Sequence, residues 1–192
     1  MVKVSKAEAQ KNHEGIVGAA GIAFRTHGVS AASVAEIAKS ADLTHGALYR
    51  HFPDKDALAA AAISADFDRI VTLLGQFRDG GKPAGDYVRI YLAKDHRDHF
   101  IWGCPAAPLA SEIHRLNDTV QTAFADGVER NLAALAALIG PEQPSRSREQ
   151  AIFMLSAMAG AMALARAVKN ADPALSDEIL QTVSQQLADQ NI

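Results

Sequence analysis

The chain has a single cysteine, Cys104, among its 192 residues, so no intrachain disulfide can staple it, and the sequence reads as one suited to a reducing compartment, the cytoplasm. Glycine (13) and proline (7) are too scarce for a collagen-like or low-complexity chain. Charged residues make up only 21% against 48% hydrophobic, which excludes disorder as the main state. Residues 1–10 alternate charged and small side chains and lack the apolar core of a signal sequence. The longest uncharged stretch, 150–165, falls short of the roughly 18–20 apolar residues that span a bilayer, so no membrane partner is expected. Period-two alternation is missing as well, which leaves no candidate strand.

What the chain does carry is helical periodicity. Over 10–26, Ile16, Ala19, Ala20, Ala23 and Phe24 recur at helical spacing, and Gly28 stands where a left-handed C-cap belongs. Ser33 and Glu36 have capping-box spacing ahead of a short helix with Val34, Ile37, Ala38 and Ala41 on one face. Thr44 caps a third helix, 45–51, closed by Phe52-Pro53. A long helix is predicted from about Asp54 to Phe77, then others at about 84–98, 105–115, 117–139, 146–169 and 173–189. Asp172 as N-cap with Pro173 at N1 opens the last. The net charge of −3 hides an asymmetry: residues 1–55 hold 7 Lys/Arg against 5 Asp/Glu and four of the seven His, and the remainder is acidic. That distribution fits a small polyanion-binding module on an acidic body.

The second and third helices with their tight turn have the size of a helix-turn-helix unit, although bundles that touch no DNA contain similar pairs. The residues themselves are more specific. Gly28-x4-Ser33-Val34-x2-Ile37-Ala38-x2-Ala41-Asp42-Leu43-Thr44-x-Gly46-Ala47-Leu48-Tyr49-x-His51-Phe52-x2-Lys55-x2-Leu58 closely resembles the DNA-binding domain of the tetracycline-repressor (TetR) family, over about residues 12–60. The resemblance implies an all-α fold, with a three-helix helix-turn-helix domain at 1–55 and a larger helical effector-binding and dimerisation domain at 56–192. It also implies roles. Ser33 and Thr44 would hold phosphates at helix N-termini, Tyr49 and Lys55 would be a phosphate-contacting pair, and His45, Arg50 and His51 would face the DNA with Gly46 allowing close approach. His45 and Arg50 are the candidates for base edges; Ile37, Leu48 and Phe52 are core. Asp42 departs from the family, which usually has glycine in that turn.

In the remainder, the helix at 146–169 is apolar nearly all round between 151 and 165 and must be buried on more than one side. Ala157, Gly160, Ala161 and Leu164 form a stripe of mostly small residues, and Ile179, Val183 and Leu187 line one face of the last helix. The resemblance assigns these two helices to a four-helix homodimer interface; the alternative is an ordinary monomer core. Tyr91, His96, His99, Phe100, Trp102 and Cys104 fall within fourteen residues and are expected to wall an effector pocket. No metal or cofactor is expected, since no second cysteine joins His96, His99 and Cys104. No enzyme is expected either: Glu112 and His114 are two apart, on different helix faces, and no serine sits in a nucleophile elbow.

These readings converge on a homodimeric transcriptional regulator, a repressor by resemblance, that binds a pseudo-palindromic double-stranded DNA operator and is released by a small-molecule effector. The alternatives are a redox or electrophile sensor acting through Cys104, placed by Pro105 at the N-cap of the next helix, and a helical enzyme with a helix-turn-helix-like end. Cys104 is expected to line the pocket without covalent chemistry.

Overall fold

The computed structural model describes residues 6–99, 103–140 and 144–188. Among them every regular element is a helix, as expected: α1 Lys6–His27, α2 Val34–Ser40, α3 His45–Leu48, α4 Lys55–Asp79, α5 Ala84–Tyr91, α6 Lys94–Asp98, α7 Ala106–Ile113, α8 Asp118–Ile139, α9 Pro144–Val168 and α10 Pro173–Ala188.

The ends of these helices follow from local chemistry. Gly28, at φ +81°, closes α1 by donating its N–H to Phe24 C=O at 2.8 Å. Ser33 Oγ accepts from Glu36 N–H, Thr44 Oγ1 from Ala47 N–H, Asp54 Oδ1 from Ala57 N–H and Asp172 Oδ1 from Leu175 N–H, so four predicted or neighbouring start residues are working caps. Two expectations change. The third helix is shorter than 45–51, because beyond Leu48 the chain tightens into i→i+3 bonds, Arg50 N–H to Ala47 C=O and His51 N–H to Leu48 C=O. The predicted helix 84–98 is two, interrupted at Leu92-Ala93, where Ala93 is extended at φ −71°, ψ 148°.

Packing gathers the chain into two compact units. The first takes residues up to Asp66 together with Pro108–Asp126; the second takes Phe67–Ala107 and everything from Gly127 on. Beyond 1–55, the first unit thus includes the start of α4 and a later segment. In it, α1 packs on α2 and α2 on α3 around Ile16, Phe24, Ile37, Leu48, Phe52 and Leu58. Arg25 pairs with Asp66 in this core, both side chains almost wholly buried. Gly21 lies over the pair, where a Cβ would come within 2.7 Å of Asp66 Oδ1.

In the second unit α9 packs along α10, α10 on α5 and α9 on α6, enclosing Tyr87, Val88, Met154, Met158, Met162 and Leu180. Ser145–Val168 is long and apolar enough by composition to cross a membrane, contrary to the count of uncharged residues, yet only 39% of its apolar window is buried in the chain. The rest of that apolar surface is outward. Ile152, Phe153 and Leu164 are 44%, 56% and 60% exposed, with Ser156, Gly160, Ala163 and Ala167 exposed between and beside them.

Candidate nucleic-acid interface and ligand cavity

On the first unit, the residues expected to meet DNA surround α3. Thr44, His45, Gly46, Tyr49 and Arg50 are exposed, and a Cβ added at Gly46 would touch nothing within 4 Å. His45 and Tyr49, one turn apart, bring their rings edge to face at 4.9 Å, so the phenol is steadied in an outward position. His51 is half-buried, its ring 6.0 Å from that of His13, which in turn stacks on Phe52 at 4.8 Å. Ser33 is half-buried, and its hydroxyl and that of Thr44 serve as caps. Lys55 is half-buried too, with Nζ donating to Ser30 C=O at 2.9 Å. Asp42 holds φ +56°, the left-handed turn that its substitution for glycine brought into question.

One residue of this unit escaped the sequence reading. Glu112, near the end of α7, accepts from the N–H groups of Val29 (2.8 Å) and Ser30 (2.7 Å), the loop that leads into α2. Burial pushes its carboxyl up, but the Ser30 and Val29 hydrogen bonds and the charge of Lys55 outweigh this and hold it below the ordinary carboxylate range. Glu112 and Lys55 therefore grip the same loop, one by its N–H groups and the other by a carbonyl.

On the second unit, Tyr91, His96, His99 and Cys104 do meet around one cavity of about 300 Å³, together with Ile70, Leu73, Tyr87, Ile90, Ala93 and Asp95. Phe100 and Trp102 lie outside the described residues. Tyr87 had no place in the expected set; it stands one turn before Tyr91 on the same face of α5. The α6 wall is fixed from behind. Arg97 donates to Asp98, Ser176 and Asp177, and Arg166 donates to the carbonyls of His96 and Arg97. The Asp98 carboxyl is held well below its usual range by the Arg97 and Lys169 hydrogen bonds. His96 Nδ1 faces Tyr91 C=O and His99 Nδ1 faces Asp95 C=O, and among the described residues no group of three His, Cys, Asp or Glu is placed to hold a metal. Cys104 is buried, with Asn131 Nδ2 3.9 Å from its Sγ. Since α7 begins at Ala106, Pro105 and not Cys104 occupies the position before it, which corrects the expected cap.

Of the seven residues expected at a dimer interface, Gly160 and Leu164 are exposed, Ala157, Ile179 and Val183 are half-buried, and Ala161 and Leu187 belong to the chain's own core.

Residues 16–62 match the profile of the bacterial regulatory proteins of the tetR family. The HTH-type transcriptional regulator AcrR of Shigella flexneri is 45% identical over 58 residues, 30% of this chain and 27% of that protein. The HTH-type transcriptional regulator TtgR of Pseudomonas putida is 40% identical over 65 residues, 34% and 31% of the two chains. These matches thus span less than a third of the relatives' own length. The fold extends further. Escherichia coli NemR in its reduced form superposes with a TM-score of 0.75 at 18% identity, over 94% of this chain and 96% of that one. A TetR transcriptional regulator of Chloroflexus aurantiacus does so at 0.74 and 20% identity, over 95% of each. Residues 16–62 thus carry a helix-turn-helix segment that matches the tetR family of bacterial regulatory proteins, and the chain shares its fold with the two solved regulators.

Proposed function

We propose that this protein is a homodimeric transcriptional repressor that binds a pseudo-palindromic operator and leaves it when a small molecule occupies the cavity of the second unit. The observation that carries the reading is the polar, outward set of Thr44, His45, Gly46, Tyr49 and Arg50 on a domain of this family. An open backbone at Gly46 lets the start of α3 enter a major groove, where His45 and Arg50 reach base edges while Tyr49, Lys55 and the capped N-termini at Ser33 and Thr44 meet phosphates. The exposed apolar face of α9, with α10 beside it, supports pairing of two copies, and a two-fold protein matches a two-fold site. A ligand that binds better to the conformation unable to bind DNA must weaken DNA binding by the same factor. Helices α4, α7 and α8 each contribute residues to both units, and α4 is the natural lever for this coupling.

The test is selection of genomic fragments on the intact chain, followed by sedimentation with the selected duplex. A single inverted-repeat motif bound by two chains supports the reading; retention of no sequence over background overturns it. Cys104 lines the cavity, and this favours one second reading, covalent capture of an electrophile by its thiol. Its burial disfavours the reactive thiolate, so Cys104→Ser is expected to keep the effector response.

A further inference from the structure

The wall of the cavity contains a feature that packing does not account for. Tyr87 and Tyr91 both line it and both are almost fully buried; among the described residues the Tyr87 hydroxyl has no hydrogen-bond partner and that of Tyr91 has only the weak one offered by the Cys104 thiol. A buried hydroxyl without a partner has lost its hydration for nothing in return, and one held only by a thiol has gained little, so the two phenols on this cavity wall are placed to receive a bound acceptor. The rings are held in place: Phe77 packs edge-on against Tyr87 at 6.0 Å, and His96 against Tyr91 at 4.7 Å. Their centroids are 6.1 Å apart.

The chemistry of this wall is that of donors. Burial, with the neighbouring Cys104, pushes both phenols well above their ordinary range, so each keeps its proton. A phenol donates better than it accepts, because its oxygen lone pair is drawn into the ring. The Cys104 thiol beside them is a weak donor too, and the Asn131 amide N–H is directed at its sulfur. The charges nearby have partners of their own. Arg166, the cation behind this wall, is engaged with the carbonyls of His96 and Arg97, while Asp95 and His99 pair with each other at the exposed rim. Ile70, Leu73 and Ala93 make the remaining surface apolar.

We infer that the cavity takes a small, uncharged, mainly apolar molecule whose one polar end is a carbonyl-type acceptor oxygen, received by the hydroxyls of Tyr87 and Tyr91. The inference rests on the cavity being the effector site proposed above, and it narrows the class of effector.

Three probes of one shape separate the chemistries: acetophenone, its hydrocarbon isostere isopropylbenzene, and the benzoate anion, titrated into the intact chain by ligand-detected NMR. Acetophenone is expected to bind about tenfold tighter than the other two, the increment of two neutral hydrogen bonds. In the Tyr87→Phe/Tyr91→Phe variant, which keeps both rings, that preference is lost, and the probe-free protein melts close to wild type because only the weak Tyr91–thiol bond was removed. Tightest binding of benzoate, equal binding of isopropylbenzene, or a preference that survives in the double variant overturns the inferred class. If isopropylbenzene or benzoate then weakens DNA binding, the effector site stands and only the class falls; if no probe binds at millimolar concentration, both fall.

Discussion

Glu112 carries a net charge into a place where two main-chain N–H groups and Lys55 receive it, and this gives a pH dependence of definite sign. Its folded-state value lies below the ordinary carboxylate value of about 4.3, so its contribution is complete above that pH and declines as pH falls through the lowered value. Thermal unfolding between pH 7 and 3 should show this slope, and Glu112→Gln should flatten it while costing about 1–3 kcal/mol at neutral pH, since an amide cannot accept both N–H groups as a carboxylate does. On the other side of the loop, Lys55→Ala should lower the salt slope of DNA binding by about one, and Tyr49→Phe should weaken all sequences alike. His45→Ala should instead relax preference at one or two base positions; identical effects of all three changes in a binding titration would contradict the face assigned to α3. The exposed polar set around α3 was legible in the sequence because its spacing within about twenty residues is local. Glu112 was not, since its partners lie 82 and 83 residues away and nothing around it in the chain marks a carboxylate that binds backbone.

Among the elements, those bounded by caps were readable and those bounded by tertiary contacts were not. Gly28, Ser33, Thr44 and Asp172 announce helix ends through their own side-chain or backbone chemistry. The break between α5 and α6 falls at Leu92-Ala93, which holds neither glycine nor proline, and Arg97 and Arg166 secure α6 from α9 and α10. Asp42 tests the local kind. Because it holds a left-handed conformation, Asp42→Val should lower stability by about 1–2 kcal/mol while Asp42→Gly should leave it unchanged or raise it, as denaturant titration would show. Gly127 tests the other kind: a Cβ there would lie within 2.6 Å of Phe67 Cγ, and Phe67 is fully buried. Gly127→Ala should therefore cost about 1–3 kcal/mol although alanine is the better helix former, and a stabilised variant would show that α8 does not need this close approach.

For the molecule as a whole, the apolar periodicity of α9 led to the expectation of a helix covered on more than one side without telling which residues meet the chain's own core, and in the single chain one of those sides is open. Ala161 is taken by that core, as is Leu187 of α10, and the outward line runs instead through Ile152, Phe153, Gly160 and Leu164. Gly160 separates the two kinds of burial. A Cβ there meets nothing within 4 Å of its own chain, so Gly160→Leu should fold with the unfolding midpoint of an isolated protomer no lower than wild type. Against a second copy the same leucine would hold two close-packed helices apart, and overpacking of this kind costs about 1–3 kcal/mol per site, doubled by the symmetry of an isologous contact. Leu164→Asp should act on the same line by placing a charge on a surface that pairing would dehydrate. Sedimentation at micromolar concentration is thus expected to give a dimer for the wild type and monomers for both variants, each with the helical circular dichroism of the parent. A wild-type monomer, or a dimer that tolerates both changes, would leave the exposed apolar face of α9 to some other partner and remove the two-fold match between protein and operator.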